Sequence, residues 1–99
     1  MKFKEYPQEE KNLLEMVWKQ PNIKQDELGR KLNKSSRIIR ILVHQIRLKG
    51  FINLGGKELY LVADNSGYDI TEKGSARFEM WKKMFQSKIK EMQEIINKL

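Results

Sequence analysis

The sequence predicts an α+β fold: a core of three short helices, a small antiparallel sheet and a long C-terminal helix. Two changes of hydrophobic period carry this prediction. Apolar residues recur at helical spacing up to Gly50, fall into short strand-like runs across residues 51–71, and return to helical spacing from residue 72 to the end. The third observation is punctuation, because Pro21-Asn22, Asn33, Gly50, Gly55-Gly56 and Asp64-Asn65-Ser66-Gly67 sit at the joints. Residues 1–71 therefore read as one domain and residues 72–99 as an appended helix. A chain of 99 residues is too short for two independent cores.

Residues 1–5 are expected to be loose or to form a strand edge. Pro7 suits the first turn of a helix over residues 7–19, and Glu9 and Glu10 favour the positive end of its dipole. Leu13, Leu14, Val17 and Trp18 form its apolar stripe, which places Trp18 in the core rather than on the surface as a stacking platform. Ile23 leads into a second helix over residues 25–32. Leu28 and Leu32 face inward there, and Asp26 and Glu27 support a start that Lys24 caps poorly. Gly29 permits a close approach, and Asn33 can take the left-handed conformation that ends a helix. Ser35 or Ser36 then caps a third helix reaching Gly50. Its stripe of Ile39, Leu42, Val43 and Ile46 follows i, i+3, i+4, i+7. The opposite face holds Arg37, Ile41, His44 and Leu48, flanked by Arg40 and Arg47.

Residues 51–54, 58–63 and 68–71 are strand-like and give a small antiparallel sheet with a hairpin. Either glycine-bearing turn can form its tip. Lys57 beside Gly55-Gly56 suits a phosphate contact, and Asp64 at the other turn does not. Thr71 can cap the last helix, where Phe78, Trp81, Phe85, Met92, Ile95 and Leu99 alternate by threes and fours, with Lys88 interrupting one position. Such a helix is about 40 Å long, more than a small domain can cover. It is expected to pair with a second copy; the alternative is that Phe78, Trp81 and Phe85 fold back on the first helix.

The charge is informative by its location. Net charge is +7 and the pI about 9.7, within the range of nucleic-acid-binding domains. Residues 1–50 carry twelve Lys or Arg against six acids, and residues 51–99 carry eight against seven. No acid occurs between Glu27 and Glu58, a stretch holding Arg30, Lys31, Lys34, Arg37, Arg40, Arg47, Lys49 and Lys57. A short helix, a tight turn over residues 33–36 and a longer basic helix make a helix-turn-helix pattern. This predicts a double-stranded DNA binder whose third helix enters the major groove with Ser35, Ser36, Arg37, Arg40 and His44. Lys34, Arg47 and Lys57 would sit on phosphates. Ile41 would either touch a thymine methyl or, with Ile38 and Leu48, be covered by protein. The competing reading is a protein-interaction module that binds a host transcription or replication component through those aliphatic residues.

The order of elements resembles the winged helix-turn-helix superfamily. Residues 35–50, SSRIIRILVHQIRLKG, are similar to the S-S-R-E-L-R-x-I-V-x-x-L-R-x-x-G run of small winged-helix proteins from phages and prophages of Gram-positive bacteria. Gly67-Tyr68 resembles the Gly-Tyr that follows their wing turn. Ser35, Ser36, Arg37 and Arg40 match, and the match implies a DNA-facing helix start in a transcription regulator or a replication-associated binder. Ile38 departs from the pattern by replacing the Glu that would complete a capping box with Ser35.

Other classes lack their residues. Cysteine is absent and His44 is the single histidine, so no metal cluster, cysteine nucleophile or serine triad is expected, and no cofactor. Gly55-Gly56-Lys57 lacks the spacing of a P-loop. No enzyme is expected. The N-terminus has no apolar leader segment and no stretch approaches a membrane span, so the expected location is the cytoplasm.

Overall fold

The computed structural model describes residues 1–98. After a single 3₁₀ turn at Phe3–Glu5 come α1 (Gln8–Lys19), α2 (Gln25–Leu32) and α3 (Ser36–Leu48). Strands β1 (Ile52–Leu54), β2 (Lys57–Asp64) and β3 (Gly67–Glu72) follow, and α4 (Ala76–Lys98) ends the described chain. The architecture is thus α+β, four α-helices with a three-stranded antiparallel sheet in the order β1-β2-β3.

Side-chain alternation along β2 sets the layers. Leu59 and Leu61 join the core with Leu13, Leu14 and Val17 of α1, Leu28 of α2, and Ile39, Leu42, Val43 and Ile46 of α3. Tyr60, of opposite parity, meets Phe78 and Trp81 of α4, with ring centroids 5.8 and 5.2 Å away. The sheet therefore separates the three-helix core from α4. Both of its edges are extended by chain from elsewhere. Lys2 bridges Asn53 beside β1, so of the two expectations for the chain start, loose or a strand edge, it is the edge pairing that forms. Ile23, between α1 and α2, bridges Tyr68 of β3. That second pairing needs a glycine. Gly67 has φ +122°, and a Cβ there would lie 2.4 Å from the Asn22 carbonyl oxygen and 2.6 Å from that of Ile23. Gly67→Ala is expected to cost about 2 kcal/mol or more, because both opposing atoms are backbone and cannot swing away. A thermal melt checks this, and a midpoint equal to the parent's would show that the bridge is dispensable.

Local expectations hold at the turn before α3. Asn33 is left-handed (φ 55°, ψ 47°), and the Ile38 N–H donates to Ser35 Oγ at 3.3 Å, making Ser35 the cap. Gly29 is buried, and a Cβ there would stand 2.7 Å from the Lys34 carbonyl oxygen, so the close approach leaves no room for a side chain.

Three expectations are corrected. Trp18 is 56% exposed and lies outside the core. The buried arc of α1 runs from Leu13 to Leu14 and includes Glu10, whose carboxylate meets the Lys49 ammonium; Trp18 falls about 40° beyond Leu14 on that wheel. It borders an apolar groove with Phe3, Leu14, Ile52, Leu54, Leu59 and Ile70. Thr71 does not cap α4. β3 runs on to Glu72, Gly74 turns with φ +86°, and Ser75 Oγ accepts the Phe78 N–H at 3.1 Å. Phe78 is 7% exposed and packs with Phe51, Tyr60 and Trp81 on its own sheet, so it is covered mainly within the chain and does not fold back on α1.

Candidate nucleic-acid interface

The α2–turn–α3 unit presents one end of α3 to solvent. Lys34, Ser35, Ser36, Arg37, Arg40, Ile41 and His44 are all exposed. Arg37, Arg40 and His44 have no carboxylate within 4 Å among the described residues, as expected where the surrounding sequence holds no acid. Lys34 pairs with Glu9 of α1 at 3.0 Å, an exposed contact of little intrinsic strength. Ser35 Oγ is occupied by its capping bond, which leaves the Ser36 hydroxyl freer for an outside partner.

A short relay fixes this helix end against the sheet. Tyr68 Oη donates to Gln25 Oε1 at 3.1 Å, and Gln25 Nε2 donates to the Ser36 carbonyl oxygen at 3.4 Å. Burial pushes the Tyr68 phenol pKa up, while the Arg47 and Arg40 charges pull against it. The phenol therefore stays a hydrogen-bond donor at neutral pH. Gln25 is not marked by any local pattern, since its partners are 11 and 43 residues away.

Two expected phosphate contacts are placed elsewhere. Arg47 turns inward: its Nε donates to the Leu61 carbonyl oxygen at 3.1 Å, and its guanidinium lies 5.1 Å from the Trp81 ring centroid. Burial pulls its pKa down, opposed by Tyr68 and Tyr60. On the α3 wheel Arg47 stands only about 40° from Val43, so its long stem is within reach of β2 and α4. Lys57 pairs with Glu72 at 3.1 Å, where β2 leaves the Gly55-Gly56 turn. Ala63, the partner of Tyr68, is six residues further along β2, about 20 Å away. Lys57 and the exposed start of α3 therefore lie at opposite ends of the sheet.

The other turn, Asp64 to Gly67, adjoins the start of α2, where Lys24 and Gln25 line one shallow depression with it. Its acid is neutralised locally. Arg77 grips Asp64 with Nε at 3.2 Å and a second nitrogen at 3.1 Å, and reaches Asp69 at 2.9 Å and Asn22 Oδ1 at 2.6 Å. Against a desolvation that raises it, the Ser66 N–H, the Arg77 contact and charge, and the Gly67 N–H hold the Asp64 carboxyl below its ordinary range. Arg77 thus ties α4 to the hairpin turn and to the α1–α2 connection. A lone arginine in a helix's first turn, where acids are favoured, is the available sequence signal.

The stripe expected to pair copies divides in two. Phe78 and Trp81 are used within the chain, while Phe85, Met92 and Ile95 are exposed; Leu99 lies outside the described residues. Ile89 and Ile96 are equally exposed and absent from the expected stripe, although Phe85, Ile89, Met92 and Ile96 follow a 4-3-4 spacing that bypasses Lys88.

Among the described residues, no group of three His, Cys, Asp or Glu is arranged to hold a metal ion, and no helix is long and apolar enough to cross a membrane. Comparison of the chain with family models, with curated proteins and with solved structures gives no match in any of the three.

Proposed function

We propose that this chain is a winged helix-turn-helix protein that binds double-stranded DNA by placing α3 in the major groove. The observation that carries the reading is the exposed start of α3, where Arg37, Arg40 and His44 have no carboxylate partner among the described residues. A helix with its side chains is about 10–12 Å across, matching a major groove roughly 12 Å wide. Arg37 and Arg40 are the candidates for base edges, Ile41 for a thymine methyl, and Ser36 and His44 for base edge or phosphate. Lys34 can exchange its exposed bond to Glu9 for a phosphate. Arg47 and Lys57 fall outside this contact set. The resemblance of residues 35–50 adds a phage-type regulator or replication-associated binder, acting in the cytoplasm, as the biological setting.

A second reading rests on Ile41 and Leu48, 42% and 73% exposed on the same helix face. A protein partner, such as a host transcription or replication component, would bury them. The two readings differ in salt response. Fluorescence anisotropy of a labelled duplex, titrated at several salt concentrations, should give a steep loss of affinity with salt. Arg37→Ala and Arg40→Ala are each expected to lose about 1–3 kcal/mol of discrimination between a selected site and random duplex if they read bases. A phosphate contact would instead lower the salt slope by about one. Lys57→Ala is expected to bind like the parent. If Arg37→Ala and Arg40→Ala also do so at low salt, α3 is not the DNA-reading element and the protein-partner reading replaces this one.

A further inference from the structure

More than half of the large exposed apolar side chains among the described residues lie on α4: Met80, Met84, Phe85, Ile89, Met92, Ile95 and Ile96. Four of them, Phe85, Ile89, Met92 and Ile96, continue the face that has already packed. On a helical wheel, Phe78, Trp81, Phe85, Ile89, Met92 and Ile96 all fall within one arc of about 80°. The helix covers its own sheet through Phe78 and Trp81, then overhangs with the same stripe uncovered. The whole molecule is 43 Å in its longest dimension, and α4 alone spans about 34 Å of helix. Where the overhang begins, Phe51, Tyr60, Phe78, Trp81, Phe85 and Ile89 line a groove of about 390 Å³ beside the sheet.

We propose that the occupant of this face is the α4 of a second copy, running antiparallel. Three features select that partner. The 4-3-4 spacing is self-complementary: in an antiparallel pair Phe85 stacks against the partner's Ile96, and Ile89 against the partner's Met92. That register carries the end of each overhang into the groove of the other copy, so one contact covers both open surfaces. An overlap of the two seams alone falls short of the roughly 800 Å² per partner typical of a stable interface, and the groove supplies further contact. Charge sets the direction. Lys82, Lys83, Lys88 and Lys90 occupy a run with no acid, and Glu91 and Glu94 follow it. Parallel pairing would align the lysines of both copies, whereas antiparallel pairing sets Lys88 and Lys90 near the partner's acids and leaves only Lys83 opposite a lysine, at position 98. The antiparallel arrangement also holds the two bodies at opposite ends of the helix pair. Two-fold symmetry closes the contact, and no further copies add. None of this depends on DNA binding.

Sedimentation velocity of the full chain at high micromolar concentration is expected to show a dimer. Ile89→Asp and Met92→Asp should each raise the dissociation constant more than tenfold while leaving the helical content unchanged, since neither side chain contributes to the core. A monomeric parent, or Ile89→Asp and Met92→Asp variants that stay dimeric, would overturn the interface. Direction is read with cysteines, which the chain otherwise lacks. An Ile89→Cys, Met92→Cys double variant should cross-link between copies on oxidation. Ile96→Cys, on the same seam, should not, because antiparallel pairing separates the two positions 96 by about 16 Å, whereas parallel pairing would set them face to face. Efficient cross-linking through position 96 would overturn the antiparallel direction.

Discussion

Val43→Asp is expected to abolish cooperative unfolding. Val43 is 3% exposed and lies among Leu28, Ile39 and Ile46 in the cluster shared by α1, α2, α3 and the sheet. The nearest cation along α3, the Arg47 guanidinium one turn on, is already engaged by the Leu61 carbonyl oxygen and the Trp81 ring, and a poorly paired charge in such surroundings costs several kcal/mol even after relaxation. Loss of the valine's packing adds about 1–2 kcal/mol. A domain of this size has roughly 5–15 kcal/mol of stability in total, so the two losses consume most or all of it. Ile41→Asp is the matched control. It lies two residues earlier, about 160° away on α3 and 42% exposed, and should melt within about 0.5 kcal/mol of the parent. Circular dichroism melts of both variants check this. A sharp transition for Val43→Asp at the parent's temperature would mean that the buried face of α3 has been misidentified.

Lys49→Met is expected to produce the next largest loss. Glu10 is 3% exposed on α1, and the Lys49 ammonium at the end of α3 is its ion-pair partner. The same ammonium stands 5.6 Å from the ring centroid of Tyr6, itself buried. Removing the cation strands a carboxylate in the interior, at a cost of about 3–5 kcal/mol when no replacement partner arrives. The Lys49 side chain is 29% exposed, so water can reach the site from its side, which argues for the lower end of that range. At about 4–8 °C per kcal/mol for a domain of this length, the midpoint should fall by roughly 15–20 °C. Glu10→Leu combined with Lys49→Met should recover much of the loss, since an apolar pair of similar volume is often as stable as the buried ion pair. If Lys49→Met melts with the parent, Glu10 is solvated and the α1–α3 clamp contributes nothing. If the double variant is less stable than Lys49→Met, Glu10 has another partner.

These two variants differ in how far the residues themselves announce them. The stripe Ile39, Leu42, Val43, Ile46 is a periodic signal within thirteen residues, and one apolar face of an amphipathic helix has one place to go. The same locality made the Asn33 turn, a serine cap at position 35 or 36 and the three strands legible, because φ preferences and capping bonds act over three or four residues. Glu10 gave no such signal. Its burial depends on a lysine 39 positions away, and an acid in a helix's first turn ordinarily belongs to the solvated dipole end.

The candidate interface divides along the same line. Sequence alone determined which helix is basic, that its start is free of acids, and which of its faces turns away from the core; Arg37, Arg40, Ile41 and His44 are exposed in the structure. Only tertiary packing decided the residues near the edge of a face or outside the helix. Arg47 lies close enough to the buried arc for the carbonyl of Leu61 and the ring of Trp81 to capture its guanidinium. Trp18 missed the core because it stands about 40° beyond Leu14, the edge of a buried arc that runs to Leu13 with Glu10 near its middle. Lys57 was separated from α3 by the length of β2, a distance that appears only once the strand register is set. Phe78 and Phe85 belong to one helical stripe, yet the first is covered and the second is open, because the sheet ends between them. Periodicity assigns a side chain to a face; the extent of the neighbouring element decides whether that face is covered.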